Sequence, residues 1–133
     1  MIKSILDETN EKIRIKTGII LDCEPQVITD DRLDSVGLEG AFHYRTNTIL
    51  VNSTLDEEDF KRALVHEYGH YIHFNYLGNR RIRLPREGKS KYADIDHREN
   101  FAVAFENLIM DRYDDYRARN DALIRLLKKH IVV

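Results

Sequence analysis

Within Leu64 to Phe74, LVHEYGHYIHF, the residues His66, Glu67 and His70 spell H-E-x-x-H, and this pattern constrains the chain more than any other feature. Two imidazoles four residues apart meet at one point when the backbone between them is helical, because i and i+4 share a helix face. The segment therefore reads as a helix with one face turned toward something the two rings can hold. Zinc takes histidine nitrogens at about 2.0–2.1 Å, and i,i+4 spacing supplies two of them without distorting the backbone. Glu67 lies roughly 100° around the helix from His66, out of ligand position but within reach of water beside the ion. A carboxylate there is placed as a general base, next to water whose pKa a metal lowers to about 7. With six histidines and ten glutamates in 133 residues, chance gives the pattern in about one such chain in fifty, so its surroundings must decide. The bland alternative is a helix whose histidines are ordinary surface or core groups.

Those surroundings divide into short, recognisable elements. Ile2, Ile5, Leu6 and Ile13 mark an amphipathic first helix that ends near Gly18. ILDCEP turns at Pro25, and QVIT reads as a short strand. GAFHYRTNTILVN reads as a hairpin with RTN at its tip, Phe42 and Tyr44 alternating on one arm and the apolar TILV on the other. The zinc-type helix then starts with Thr54 and Glu57 at capping-box spacing, with acids Asp56 to Asp59 at the positive end of the dipole. Phe60, Ala63, Leu64 and Tyr71 carry its apolar stripe toward a stop at Gly78. Residues 79–91 form a loop with six basic side chains against Glu87 alone. A second long helix begins around Asp96, with Phe101, Phe105, Leu108 and Ile109 at helical spacing, and DALIRLLKKH forms a last one. The sum is an α+β fold: a small sheet with a hairpin edge strand beside two long helices, with flanking helices at both termini.

A third ligand must come from outside the first helix, and not from cysteine, because Cys23 is the only one. The long zinc-histidine motif needs a histidine six residues after His70, where this chain has Tyr76, and its glycine position holds His73. That excludes the metzincin pattern. The segment ENFAVAFENLI offers Glu99 and Glu106, about two turns apart on one face, so both cannot sit on one ion. Glu99 also stands at capping-box spacing from Asp96 and could simply close the helix start. His73 shares the face of His66 but lies ~10 Å further along the axis. It is either a residue at the lip of the site or beside its ligands, or a plain surface or core histidine. Gly69 leaves room for the next helix to approach, and His43 and His97 have no partner at binding spacing.

Taken together, His66, Glu67, His70, Tyr92 and the run Glu99 to Phe105 resemble the catalytic domain of anthrax lethal factor and its relatives. That gluzincin-type family carries H-E-x-x-H on one helix and E-x-F-A-E-A-F on the next, with a tyrosine seven residues before the ligand glutamate. The layout is also similar to the compact ImmA/IrrE-type metallopeptidases, which have a downstream glutamate in an E-A-N-x-F-A context. The resemblance spans roughly residues 40–109 and implies a zincin-like fold. It implies one zinc ion per chain, held by His66, His70 and Glu99, with Glu67 as base and Tyr92 as hydrogen-bond donor to the transition state. It also implies an edge strand, AFHYR or TILVN, that accepts substrate as an added strand. Where the lethal-factor pattern has an acid four residues after the ligand glutamate, this chain has Val103, and Glu106 on the next turn is placed to take over its role of orienting a ligand histidine. Without the resemblance, Tyr92 is a partly buried loop tyrosine.

The remaining bounds are broad. The length suits one domain, residues 1–133, and a net charge of -2 gives no general pull toward nucleic acid or membrane. The first residues are charged throughout and lack the apolar core of a signal peptide, and no run nears the ~20 apolar residues of a membrane span. The expected location is the cytoplasm, although a dedicated secretion route would leave no trace here. The expected activity is that of a zinc endopeptidase acting on a protein or peptide. The basic loop 79–91 is either a plain solvated loop or a border of the cleft, where it would favour an acidic substrate or partner. The alternatives are a non-catalytic zincin-fold module of a phage or mobile element, or a delivered toxin protease.

Overall fold

The computed structural model describes residues 2–84, 96–110 and 117–131. It opens with helix α1 (Ile2–Thr17), which buries Ile5 and Ile13 and ends at Gly18, whose φ of 73° is the left-handed conformation that suits glycine. Strand β1 (Gln26–Thr29) follows, then a 3-10 turn (Asp31–Val36) that the sequence reading did not anticipate. The Asp30 carboxylate caps that turn from the Arg32 N–H, and Gly37 ends it at φ 71°. Strands β2 (Gly40–His43) and β3 (Thr48–Val51) form the expected hairpin.

The sheet order is β1-β3-β2, with β1 parallel and β2 antiparallel to β3. The parallel pairing requires the chain to cross over between β1 and β3, which no local signal in QVIT announces. It also makes β3 the central strand. TILVN therefore has no open edge to offer, and of the two proposed acceptor segments only AFHYR lies at an edge. Asn52, nearly fully buried, fixes the chain leading into that edge. Its N–H donates to Glu39 O at 2.8 Å, its Nδ2 to Leu38 O at 3.2 Å, and its Oδ1 accepts from Thr54 N at 2.9 Å.

Helix α2 (Glu57–Asn75) lies across the sheet and carries H-E-x-x-H. Its cap is Asp56, which accepts from Asp59 N at 2.8 Å, rather than the Thr54–Glu57 pair: Thr54 is already bonded to Asn52. The helix ends at Tyr76, two residues before Gly78. Helix α3 (His97–Ile109) packs along α2, and α4 (Arg117–His130) covers α3 with Leu123 and Leu127. One hydrophobic cluster runs through all of these, from Ile5 and Ile13 through Ile49, Leu64 and Ile72 to Phe101, Phe105 and Leu127. Gly69 lets α2 and α3 approach closely. A Cβ built there would stand 3.0 Å from Ala102 Cα and 3.2 Å from Phe105 Cβ. Among the described residues no helix is long and apolar enough to cross a membrane.

Candidate metal centre

Helices α2 and α3 meet with three ligand-type side chains on their facing sides. His66 and His70 project from consecutive turns of α2, and Glu99 comes from the first turn of α3. One donor atom from each lies within 4.8 Å of the others. His66 Nε2 and His70 Nε2 reach the two oxygens of Glu99, at 3.2 and 2.8 Å. The bland role for Glu99 does not hold: Asp96 alone caps α3, accepting from Arg98 N at 2.7 Å, which frees Glu99 for the histidines. On the far side of the His66 ring, Nδ1–H donates to Glu106 Oε1 at 2.9 Å, one α3 face thus supplying both carboxylates. Two neutral nitrogens and a carboxylate converging on one point fit a zinc ion in chemistry and spacing, and Glu106 fixes which His66 nitrogen faces it.

The charges around these rings follow from the same contacts. Burial opposes protonation of His66, but the hydrogen bonds to Glu106 and Glu99 outweigh it and push its pKa up to about 10. Hydrogen bonds from His66 and then His70 hold the Glu99 carboxyl well below the ordinary carboxylate range. Glu67 is buried, and that burial raises its pKa, with the His66 and His70 charges pulling the other way. A carboxylate so desolvated is a stronger base than one in water.

Glu67 does not lie beside the ligands by helix geometry alone. Strand β2 passes over it, and Gly40 is what lets it pass: a Cβ at Gly40 would stand 3.1 Å from Glu67 Cγ and 3.2 Å from Glu67 Oε2. The four groups form the floor of a cleft of about 420 Å³. One wall is the edge strand, from Leu38 through Gly40 and Phe42 to Tyr44, and the far end holds Asp96 and Arg98. The sequence reading missed Gly40 and Arg98. A lone glycine before a hairpin arm looks like a turn residue, and Arg98 looks like any charge in a helix start.

His73 sits elsewhere. It is fully buried, its Nε2–H donates to Arg80 O at 2.6 Å, and its ring stacks on Phe101 with centroids 4.8 Å apart, away from the cleft. Tyr92 and most of the basic loop fall outside the described residues.

The family model of the IrrE N-terminal-like domain, peptidase family M78, matches residues 25–126, well over half of the chain. The chain belongs to this family. Its members are of the zinc-dependent metallopeptidase type, and the match runs from β1 through both ligand-bearing helices into α4. Of the two layouts that the sequence resembles, the match is to the ImmA/IrrE type, and it does not confirm the likeness to lethal factor. No curated protein and no solved structure matches the chain significantly. As an M78 domain the chain is protease-like, and the three converging donors give that description a site.

Proposed function

We propose that this M78 domain is a zinc-dependent endopeptidase that cuts a specific protein or peptide substrate. The observation that carries the reading is the buried Glu67 carboxylate beside a His66–His70–Glu99 donor set, in one open cleft. In it, His66, His70 and Glu99 hold one zinc ion, and Glu106 fixes the His66 ring through Nδ1. The bound ion supplies Lewis acidity, polarising the scissile carbonyl and nearby water.

The chain's own groups do the rest. Substrate lies along β2. Asn52 N donates to Glu39 O, and by the alternation of antiparallel ladders Ala41 and His43 face β3 while Gly40 and Phe42 turn their N–H and C=O groups outward. Those two residues pair with the peptide backbone and hold it extended over Glu67. Glu67 takes a proton from water on a carboxylate oxygen and returns it to the leaving amine nitrogen. Tyr92, by its place in the motif, donates a hydrogen bond to the developing oxyanion.

Zinc per chain, measured by metal mass spectrometry, tests the site without a substrate. Near one ion is expected in the native protein, lost in Glu99→Ala and retained in Glu67→Gln. No zinc in native protein purified without chelator and offered the metal would sink the reading. Activity then separates the alternatives: an endopeptidase or toxin protease loses cleavage in Glu67→Gln, whereas a non-catalytic assembly module loses nothing.

A further inference from the structure

Arg98 is the feature of the cleft that neither the ligand set nor the base explains. Among the described residues lining the cleft it is the only arginine or lysine, and Glu67, Asp96 and Glu99 line the same space. Yet none of the ion pairs of those acids engages it: Glu99 goes to the two histidines, and Asp96 to the α3 backbone and His97. Its Nε is buried and has no hydrogen-bond partner among the described residues. Elsewhere Arg14, Arg32 and Arg62 each pair with a nearby acid. A guanidinium partly desolvated and left unpaired is costly to keep, unless a carboxylate arrives with the ligand.

The side chain is also held ready. Its guanidinium lies over the Tyr44 ring, 5.4 Å from the centroid. Tyr44 is in turn wedged edge-on against Phe42 and Phe74, with centroids 4.8 and 5.0 Å away. A planar fork fixed before binding loses little freedom when it takes a carboxylate.

Its place along the cleft gives a direction. Gly40 lies against Glu67, and Tyr44 is four residues further on, roughly 13 Å at strand spacing. A peptide added antiparallel to β2 runs from Tyr44 toward Gly40, so its N-terminal part passes Arg98 first. Beyond Gly40 the lining continues to the apolar Leu38.

We infer that Arg98, laid over Tyr44, is a specificity-determining subsite for a carboxylate on the substrate, three or four residues N-terminal to the bond that is cut. The substrate is thus an extended peptide segment with Asp or Glu at that position. The direction and the scissile bond rest on the endopeptidase reading; the carboxylate site does not.

The test uses the full chain as zinc-loaded Glu67→Gln, with fluorescein-labelled octapeptides of Ala and Ser carrying one Leu and a single Glu walked through the other positions. Each is compared with its Gln counterpart by fluorescence anisotropy. At one position the Glu peptide should bind about 10-fold more tightly or better, as a charge-assisted fork contact implies. Adding Arg98→Gln should abolish that preference, and Arg98→Lys should restore part of it, with zinc content and melting temperature unchanged. Equal binding of Glu and Gln peptides at every position, no saturable binding of any, or a preference that survives Arg98→Gln would each overturn the inference. Cleavage by the native protein keeps the two readings apart. Neutral peptides cut without acidic preference would leave the endopeptidase standing and remove this subsite. Acidic peptides bound through Arg98 with none ever cut would do the reverse.

Discussion

Replacing Gly69 with alanine puts a methyl group in place of one hydrogen between the helices that carry the candidate ligands. The new Cβ would stand 3.0 Å from Ala102 Cα and 3.2 Å from Phe105 Cβ, where comfortable carbon contacts are about 3.5–4.0 Å. The Ala102 atom is backbone and cannot swing aside, so α2 and α3 must separate by roughly 0.5 Å or more. Such overpacking costs about 1–3 kcal/mol, and the change from glycine to alanine in a helix returns about 1, leaving a net loss of about 0–2. A domain with about 5–15 kcal/mol of stability stays folded after that. The metal site is less tolerant. His66 and His70 flank Gly69 on α2, Glu99 lies one turn from Ala102 on α3, and zinc accepts deviations of only about 0.2 Å in its bonds. The expected result is zinc affinity weakened about 10- to 100-fold, measured by competition with a chromophoric chelator, while urea unfolding of the metal-free protein moves little. A folded Gly69→Ala protein that binds zinc within twofold of native would refute the argument that this contact sets the ligand spacing.

Three further outcomes follow from the same geometry. Glu106→Ala should weaken zinc binding by about 10- to 100-fold without abolishing it, because it removes the partner of His66 Nδ1 rather than a ligand; binding as weak as in Glu99→Ala would mean that Glu106 itself holds the ion. Gly40→Ala should leave zinc content intact and cut peptidase turnover at least about tenfold, since its Cβ presses on Glu67 Cγ at 3.1 Å; unchanged turnover would show that the position of Glu67 is not set from β2. The pH dependence concerns the metal-free protein, where His66 titrates at about 10 when folded against about 6.5 when unfolded. A raised pKa contributes stability that is complete below about 6.5 and lost as pH climbs toward 10, by at most about 1.4 kcal/mol per unit for one proton. Glu67, whose pKa is also raised by burial, works in the same direction from lower pH. Urea midpoints with EDTA should therefore fall from pH 6.5 to 10, and they should fall less with zinc bound, because the ion replaces the His66 Nε2 proton. A flat metal-free profile would contradict the double carboxylate embrace of that ring.

What the sequence disclosed and what it hid divide along a physical line. H-E-x-x-H states a geometry by itself, because helical periodicity turns its spacing into a direction, and the same logic made ENFAVAF a second helix with glutamates on one face. The elements were legible for the same reason: period 3.6 in α1, α3 and α4, and a short apolar arm in TILV. The parallel pairing of β1 with β3 was not, because it depends on the chain crossing over between strands rather than on any local pattern. That one hidden pairing decides much of the chemistry. It makes β3 central and β2 the open edge, brings Gly40 over Glu67, and stretches the wall from Leu38 to Tyr44 and Arg98. The candidate ligands were readable because they are close in sequence or lie on one helix face. The residues that shape what enters the cleft were not, because they converge only through the sheet. His73 shows the same limit from the other side. It lies on the same stretch as the ligands, yet its environment is the α2–α3 core and the carbonyl of Arg80, so it packs rather than reacts. Sequence spacing left it open between a residue near the site and a core histidine, and the Arg80 carbonyl and the Phe101 ring on the facing helix place it in the core.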